Sequence, residues 1–216
     1  MRPLTTDRGA GPAPVDGPDF SRFGAVDEAA RPEEFLRFLD GVSGLASFRR
    51  LKAMMLARME VARGHRVLDV GCGVGGDVLS LATMVAPDGL AVGLDVSEAM
   101  VAEARRRAAA AGLGAEFHLG DAADMPFPSG EFDGVRTERT LVHLPDADRA
   151  VGELRRVLRP GGRAVAFDVD FESAIIDLPD PALTRRAVTA LADTYASGRI
   201  GRRLPRVFRE AGFADV

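Results

Sequence analysis

From residue 66 onward, short apolar runs alternate with stretches in which apolar residues return every three or four positions. The runs are RVLDV (66–70), LAVGLDV (90–96), AEFHLG (115–120), FDGVRT (132–137) and RAVAFDV (163–169), each of strand length. Between them, helical periodicity begins at Asp77, after Ser97 and near Asp146, the last two being residue types that cap helices. Strand and helix in repeated succession predict a parallel sheet with helices on both faces, since a parallel connection needs a crossover long enough to hold a helix. Val67, Leu68 and Val70 are apolar on both sides of one strand, as such covering requires. Ahead of the sheet, Phe35, Leu36, Phe38, Leu39, Leu51, Met54, Met55, Leu56 and Met59 recur at helical spacing within 32–63, with a break at 41–44. Two helices therefore precede the first strand. After the fifth, Asp180-Pro181 supplies a cap and a first-turn proline for a helix reaching about residue 197, and a short helix covers 203–211.

This pattern divides the chain into a segment over 1–19, rich in Pro, Gly and Asp and expected to be disordered, and one domain over 20–216. Within the domain, 20–63 is read as a helical cap, 64–170 as the ligand-binding core, and 171–216 as late helices that form a substrate lid. A length of 216 residues with 46% hydrophobic and 28% charged content agrees with one globular domain. The net charge of −4 gives no basic excess for a phosphate backbone, so nucleic acid is not the expected partner. No apolar run reaches the length of a membrane span and the first residues lack a signal-peptide core, which points to the cytoplasm. The single Cys72 excludes an intrachain disulfide and a structural zinc site, and no metal is expected. The chain has one lysine, Lys52, and neither Asn nor Gln. Polar edges of a ligand must then be met by carboxylates, hydroxyls, arginines and main chain.

The candidate chemistry starts at VLDVGCGVGGD (67–77), where Gly71, Gly73, Gly75 and Gly76 lie between a strand and a helix. Missing Cβ atoms there let the backbone turn tightly and approach a ligand. Gly71-x-Gly73-x-x-Gly76 also satisfies the dinucleotide fingerprint, and Asp95, ending the next strand, is placed to take a pair of ribose hydroxyls. Asp69 within the first strand and Asp77 at the helix start tilt the reading. A carboxylate repels a pyrophosphate but favours a sulfonium or an ammonium.

On these residues the sequence resembles the class I S-adenosylmethionine-dependent methyltransferases, from 67 to about 170. VLDVGCGVGG resembles the family's first motif, which implies that Asp69, Gly71, Gly73 and Gly75 surround the methionine part of the cofactor. GLDVSEAM resembles the second, implying that Asp95 holds both ribose hydroxyls and that Val96 and Met100 lie near the adenine. HLGDAADMPFP resembles the third, with Asp121 on the adenine amino group and the main chain of Ala122 at the ring edge. LRRVLRPGGR (154–163) resembles the turn into the fifth strand, which touches no cofactor. The family implies a Rossmann-like, doubly wound α/β sheet of seven strands. This chain stops after REAGFADV, so the sixth and seventh strands are expected to be missing or truncated.

The implied reaction is in-line methyl transfer to a small-molecule acceptor, leaving S-adenosylhomocysteine, with much of the catalysis coming from alignment. Ligands of open α/β sheets bind beyond the carboxyl ends of strands. That rule directs attention to Arg136, Thr137, Glu138 and His143 after the fourth strand, and to Asp168, Asp170 and Phe171 after the fifth. His143 and Glu138 are the catalytic candidates, and Thr137 is assigned to the cofactor. Phe23, Phe35, Phe38, Phe48 and Tyr195 are candidates for a lid over an apolar acceptor. The overall pattern resembles the branch that methylates quinones and natural products. Two other readings stay open: a nicotinamide-dependent oxidoreductase, and a member of the fold that binds the cofactor without transferring a methyl group. Homo-oligomerisation is also left open.

Overall fold

A computed structural model of the chain describes residues 19–216. The segment expected to be disordered lies outside that range except for Asp19, which belongs to the fold: its carboxylate accepts the Ser21 N–H at 3.0 Å and starts a run of 3-10 turns over Phe20–Glu28. Two helices follow, α1 (Pro32–Ser43) and α2 (Ala46–Met59); α1 runs on through Gly41, and the break falls at Gly44-Leu45, the far end of the expected interval. The alternating part then runs β1 (Arg66–Val70), α3 (Gly76–Val85), β2 (Leu90–Asp95), α4 (Glu98–Ala111), β3 (Ala115–Leu119), β4 (Phe132–Glu138), α5 (Ala147–Val157) and β5 (Leu158–Phe167). Helices α6 (Pro181–Asp193) and α7 (Ile200–Glu210) close the chain, the first shorter than expected and the second starting earlier.

All pairings are parallel and the strand order is β3-β2-β1-β4-β5. The order reverses beside β1, since β2 and β3 lie to one side of it and β4 and β5 to the other. The sheet has five strands among the described residues, and β5 pairs with β4 alone. Strand β5 also begins earlier than the apolar pattern suggests, at Leu158, because Leu158 pairs with Phe132 before an irregularity in the ladder lets the Pro160-Gly161-Gly162 stretch pass.

Alternation along the strands makes two cores. On one face Leu68, Val70, Val92, Leu94 and Val135 pack against α5 and α7 through Val151, Leu154, Val207 and Phe208. On the other, Val67, Ala91 and Phe117 meet Leu81, Ala82, Val101 and Ala104 of α3 and α4, with Met59 of α2. A smaller cluster of Val26, Phe35, Val74 and Met100 joins the segment before α1 to the core. Each buried Leu or Phe contributes about 1.5–3 kcal/mol, so the cap is held by packing as well as by ion pairs.

Candidate active site

The reversal of strand order opens a crevice at the carboxyl ends of β1 and β4, where neighbouring connections leave in opposite directions. A cavity of about 770 Å³ fills it, reaching from the turn after β1 to the loops after β4 and β5 and roofed by the Phe20–Glu28 segment and α1. Gly71, Gly73, Asp95, Val96, Met100, Asp121 and Ala122, all assigned to the cofactor above, line it.

Gly71 and Gly73 have φ of +72° and +51°, conformations that a side chain would strain. A Cβ on Gly71 would come within 2.1 Å of Thr140 Oγ1, so the turn after β1 is pressed against the loop after β4. The Gly73 N–H donates to Asp95 Oδ2 at 2.8 Å and the Ser97 N–H to Asp95 Oδ1 at 3.0 Å. One hydrogen bond on each oxygen leaves lone pairs for two further donors, which is what a ribose diol presents. Burial pushes the Asp95 carboxyl above its ordinary value against the pull of these N–H groups. Asp121, in the cavity lining, accepts the Ala123 N–H at 2.8 Å through Oδ1, and its Oδ2 makes no hydrogen bond among the described residues.

Two glycine and strand assignments are corrected. Gly75, at φ +80°, does not line the cavity; a Cβ there would lie 2.8 Å from Phe117 Cε1 and 2.9 Å from Ala104 Cβ. It lets α3 and α4 pack closely on the sheet. Thr137 is 1% exposed and lies outside the cavity lining. Strand alternation turns it with Val135 toward α5, while Arg136 and Glu138 face α2.

The carboxylates at the turn meet a cation already in place. Register sets Asp69 beside Arg136 across β1 and β4. The Arg136 guanidinium donates to Asp69 Oδ2 at 3.2 Å and to Glu138 Oε2 at 2.6 Å, and pairs with Asp77 Oδ2 at 2.8 Å. Lys52, entering from α2, pairs with the Asp77 carboxylate and donates to Glu138 Oε2 at 3.0 Å. Arg139 completes the cluster on Glu138 Oε1 at 3.2 Å. The negative charge expected to greet a sulfonium is therefore largely neutralised from within. Burial pushes Asp69 up to about 7 despite Arg136, whereas for Asp77 Arg136 and Lys52 together outweigh burial and hold the carboxyl below its usual range. Glu138, expected as a catalytic candidate, lines the cavity but has three cations on its oxygens, and as their acceptor it joins β4 to α2.

At the other end of the cavity, His143 lies between Phe23 and Tyr195, with ring centroids 5.4 and 5.6 Å away, and Tyr195 stacks on Phe171 at 4.0 Å. Its Nδ1 is 3.0 Å from the Ser21 carbonyl. Burial, helped by Arg139, keeps its imidazole below the ordinary histidine value against the pull of that carbonyl. Phe23, Phe38 and Tyr195 line this chamber together with Phe20, but Phe35 packs under the cap and Phe48 lies beneath the Arg139 guanidinium at 4.7 Å. Asp168 and Asp170 are turned to structural work. Asp168 accepts N–H groups of Val142 and Val169 at 3.2 and 2.8 Å, and burial pushes it up to about 6; Asp170 pairs with Arg202 and caps the turn at Glu172. Burial pushes the Cys72 thiol up, which disfavours the thiolate form.

Sequence reasoning missed Lys52 and Asp27. A buried Arg in β4 and a buried Asp in β1, both within apolar runs, signal a pair across neighbouring strands. Nothing local ties Lys52 or Asp27 to partners that lie 25 and 70 residues further along the chain.

A methyltransferase domain family matches residues 67–162. The chain is 41% identical over 193 residues to an uncharacterized 37.1 kDa protein in transposon Tn4556 of Streptomyces fradiae, covering 88% of this chain and 55% of that one, so it spans little more than half of that relative's length. It is 32% identical to a demethylmenaquinone methyltransferase of Symbiobacterium thermophilum, covering 74% of this chain and 73% of the relative. Among solved structures it resembles the [4+2]-cyclase SpnF with a TM-score of 0.60 and 31% identity, over 76% of this chain and 56% of the other. With the five-stranded switch-point sheet and the glycine turn facing Asp95, these relationships lead to one conclusion: the chain belongs to the class I S-adenosylmethionine-dependent methyltransferase family.

Proposed function

We propose that the chain methylates a small, largely apolar acceptor using S-adenosylmethionine, in the cytoplasm, and that His143 takes the acceptor's proton when there is one to remove. The observation that supports this best is the continuity of one cavity from the Gly71, Gly73, Asp95 and Asp121 set to the aromatic chamber around His143. The donor set fits the cofactor: Asp95 keeps acceptor capacity for two hydroxyls, and the buried Met100 and Ala122 beside Val96 offer an apolar slot for a flat ring. The Asp121 Oδ2 is the acceptor for an amino group at that ring's edge. When bound, S-adenosylmethionine supplies an electrophilic methyl group on a sulfonium and leaves as S-adenosylhomocysteine. The chain's own part is alignment, exclusion of water by the Phe20–Glu28 roof, and proton removal. A carbonyl only accepts, so the Ser21 contact puts the hydrogen on Nδ1 and leaves Nε2 of His143 as the basic atom. Its lowered pKa keeps it neutral, hence able to accept a proton, at and above neutral pH.

The test is label transfer from tritiated S-adenosylmethionine to a pool of phenols, quinols and amines. Wild type is expected to label one class of acceptor. His143→Ala is expected to lose about 10²–10⁴ in kcat for a protic acceptor with cofactor affinity unchanged, the range a general base supplies. Unchanged turnover in that variant removes the base. Tight cofactor binding without transfer to any acceptor removes methylation, and preference for NADH removes the cofactor reading.

A further inference from the structure

The Phe20–Glu28 segment touches two places that the reaction needs at once. At its far end the Asp27 carboxylate fastens onto the start of α4: Oδ1 accepts the Ser97 hydroxyl at 2.6 Å and the Ala99 N–H at 3.1 Å, and Oδ2 accepts the Glu98 N–H at 2.7 Å. Ser97 caps the same helix by accepting the Met100 N–H at 3.2 Å. Three first-turn N–H groups of α4 are thus satisfied, two of them by a residue seventy positions away. This helix start follows directly on Asp95 and Val96, both in the cavity wall. At the near end of the segment the Ser21 carbonyl accepts from His143 Nδ1, and Phe23 of the same segment flanks the imidazole opposite Tyr195. Nε2 makes no hydrogen bond to the described residues and is not sealed off from the cavity.

We propose that Asp27 is a positioning residue for His143: by clamping the Phe20–Glu28 segment to the first turn of α4, it holds the Ser21 carbonyl that fixes the imidazole as the Nδ1–H tautomer, with Nε2 open to the acceptor. The consequence for turnover rests on the reading of His143 as base; the tautomer itself does not. The base is thereby set by the element that also bounds the cofactor side of the cavity, so the two half-sites share one fastener. Other contacts of the segment do not depend on Asp27. Val26 is buried against Phe35 and Met100, and Phe20 stacks on Phe38 at 4.1 Å, which keeps the segment in the fold when the carboxylate is removed. The charged and titratable groups facing His143 are Arg139 and Tyr195, with Arg22 further along the same cavity; Arg139 and Tyr195 lie on other elements than the one Asp27 clamps, whereas Arg22 is part of the clamped segment.

The experiment is nitrogen NMR on histidine-labelled protein, with His143→Ala assigning the His143 signals against those of His65 and His118, in parallel with kcat. Wild type is expected to show a protonated Nδ1 and an unprotonated Nε2 above neutral pH. Asp27→Ala is expected to lose that bias and to lower kcat by on the order of tenfold, short of the 10²–10⁴ of a missing base because the imidazole is still present. Asp27→Asn keeps the Oδ1 contacts to Ser97 and Ala99 and is expected to restore both readouts. An Asp27→Ala protein that melts earlier but keeps the wild-type nitrogen pattern overturns the proposal. A changed nitrogen pattern with full turnover in both Asp27→Ala and His143→Ala upholds the positioning contact and removes the base.

Discussion

Arg136 is the residue whose loss the structure makes most costly. It is 1% exposed and, among the described residues, is the sole hydrogen-bonding side chain on Asp69, which is itself 3% exposed. Arg136→Met removes charge-assisted contacts to Asp69, Asp77 and Glu138, each worth about 1.5–3 kcal/mol, and relieves the cost of burying a guanidinium. Lys52 still serves Asp77 and Glu138, so the damage concentrates on Asp69. Breaking a buried pair from one side costs about 3–5 kcal/mol, and the loss here should fall in that range. At a urea dependence of about 2 kcal/mol per molar, the unfolding midpoint moves down by roughly 2 M. The loss also depends on pH. In the wild type Asp69 gives up its proton near 7, and without Arg136 it keeps that proton to higher pH. The variant therefore holds more protons in its native state than the wild type does above neutrality, and the stability gap widens from pH 6 to pH 8 by up to about 1.4 kcal/mol per unit. Adding Asp69→Leu removes the orphaned carboxylate and should recover at least about 1 kcal/mol. Urea unfolding at both pH values, followed by circular dichroism, measures all of this. A loss below about 1 kcal/mol, or one that is flat with pH and unrelieved by Asp69→Leu, refutes the account.

Asp95→Ala removes the proposed acceptor of the ribose hydroxyls; two charge-assisted bonds at about 1.5 kcal/mol each correspond to roughly a hundredfold loss of cofactor affinity, read by calorimetry. Gly75→Ala forces a Cβ against Phe117 and Ala104 at positive φ and is expected to cost about 1–3 kcal/mol in thermal unfolding, with a much smaller effect on cofactor affinity than Asp95→Ala because Gly75 does not reach the cavity. Asp168 is held near 6 in the fold against 3.8 in a free chain, so the native state keeps a proton that the unfolded state has lost; stability falls as pH rises from about 4 to 6, by up to about 3 kcal/mol. Asp168→Asn is expected to flatten that slope in urea titrations, and an unchanged slope would contradict it.

The sheet was legible because its signal is local. Each of the five strands is a short apolar run bounded by turn residues, and four of them begin within a residue of where the pattern puts them. Gly71, Gly73 and Asp95 were legible as cavity residues too, since strand ends followed by glycine or by a cap mark where a parallel sheet opens, while Met100 and Asp121 were reached only through the family resemblance. Gly75 was misread because a glycine that admits a ligand and one that admits a neighbouring helix look alike in sequence. Thr137 lies outside the cavity lining, which the sequence could not reveal because a strand's alternation shows two faces without saying which helix covers each.

The sequence alone determined the order of elements and the parallel class of the sheet, because hydrophobic period and turn chemistry act over a few residues; the strand order, and with it the crevice at its reversal, belongs to the folded sheet. Tertiary structure decided where charge goes. Lys52 reaches Asp77 and Glu138 only when α2 lies across β4, Arg136 reaches Asp69 and Asp77 only when β4 pairs with β1, and Asp27 reaches Ser97 only when the cap folds onto α4. Ion pairs between residues far apart in the chain depend on how helices are laid on the sheet, and burial, which gives those pairs their strength, exists only after that packing.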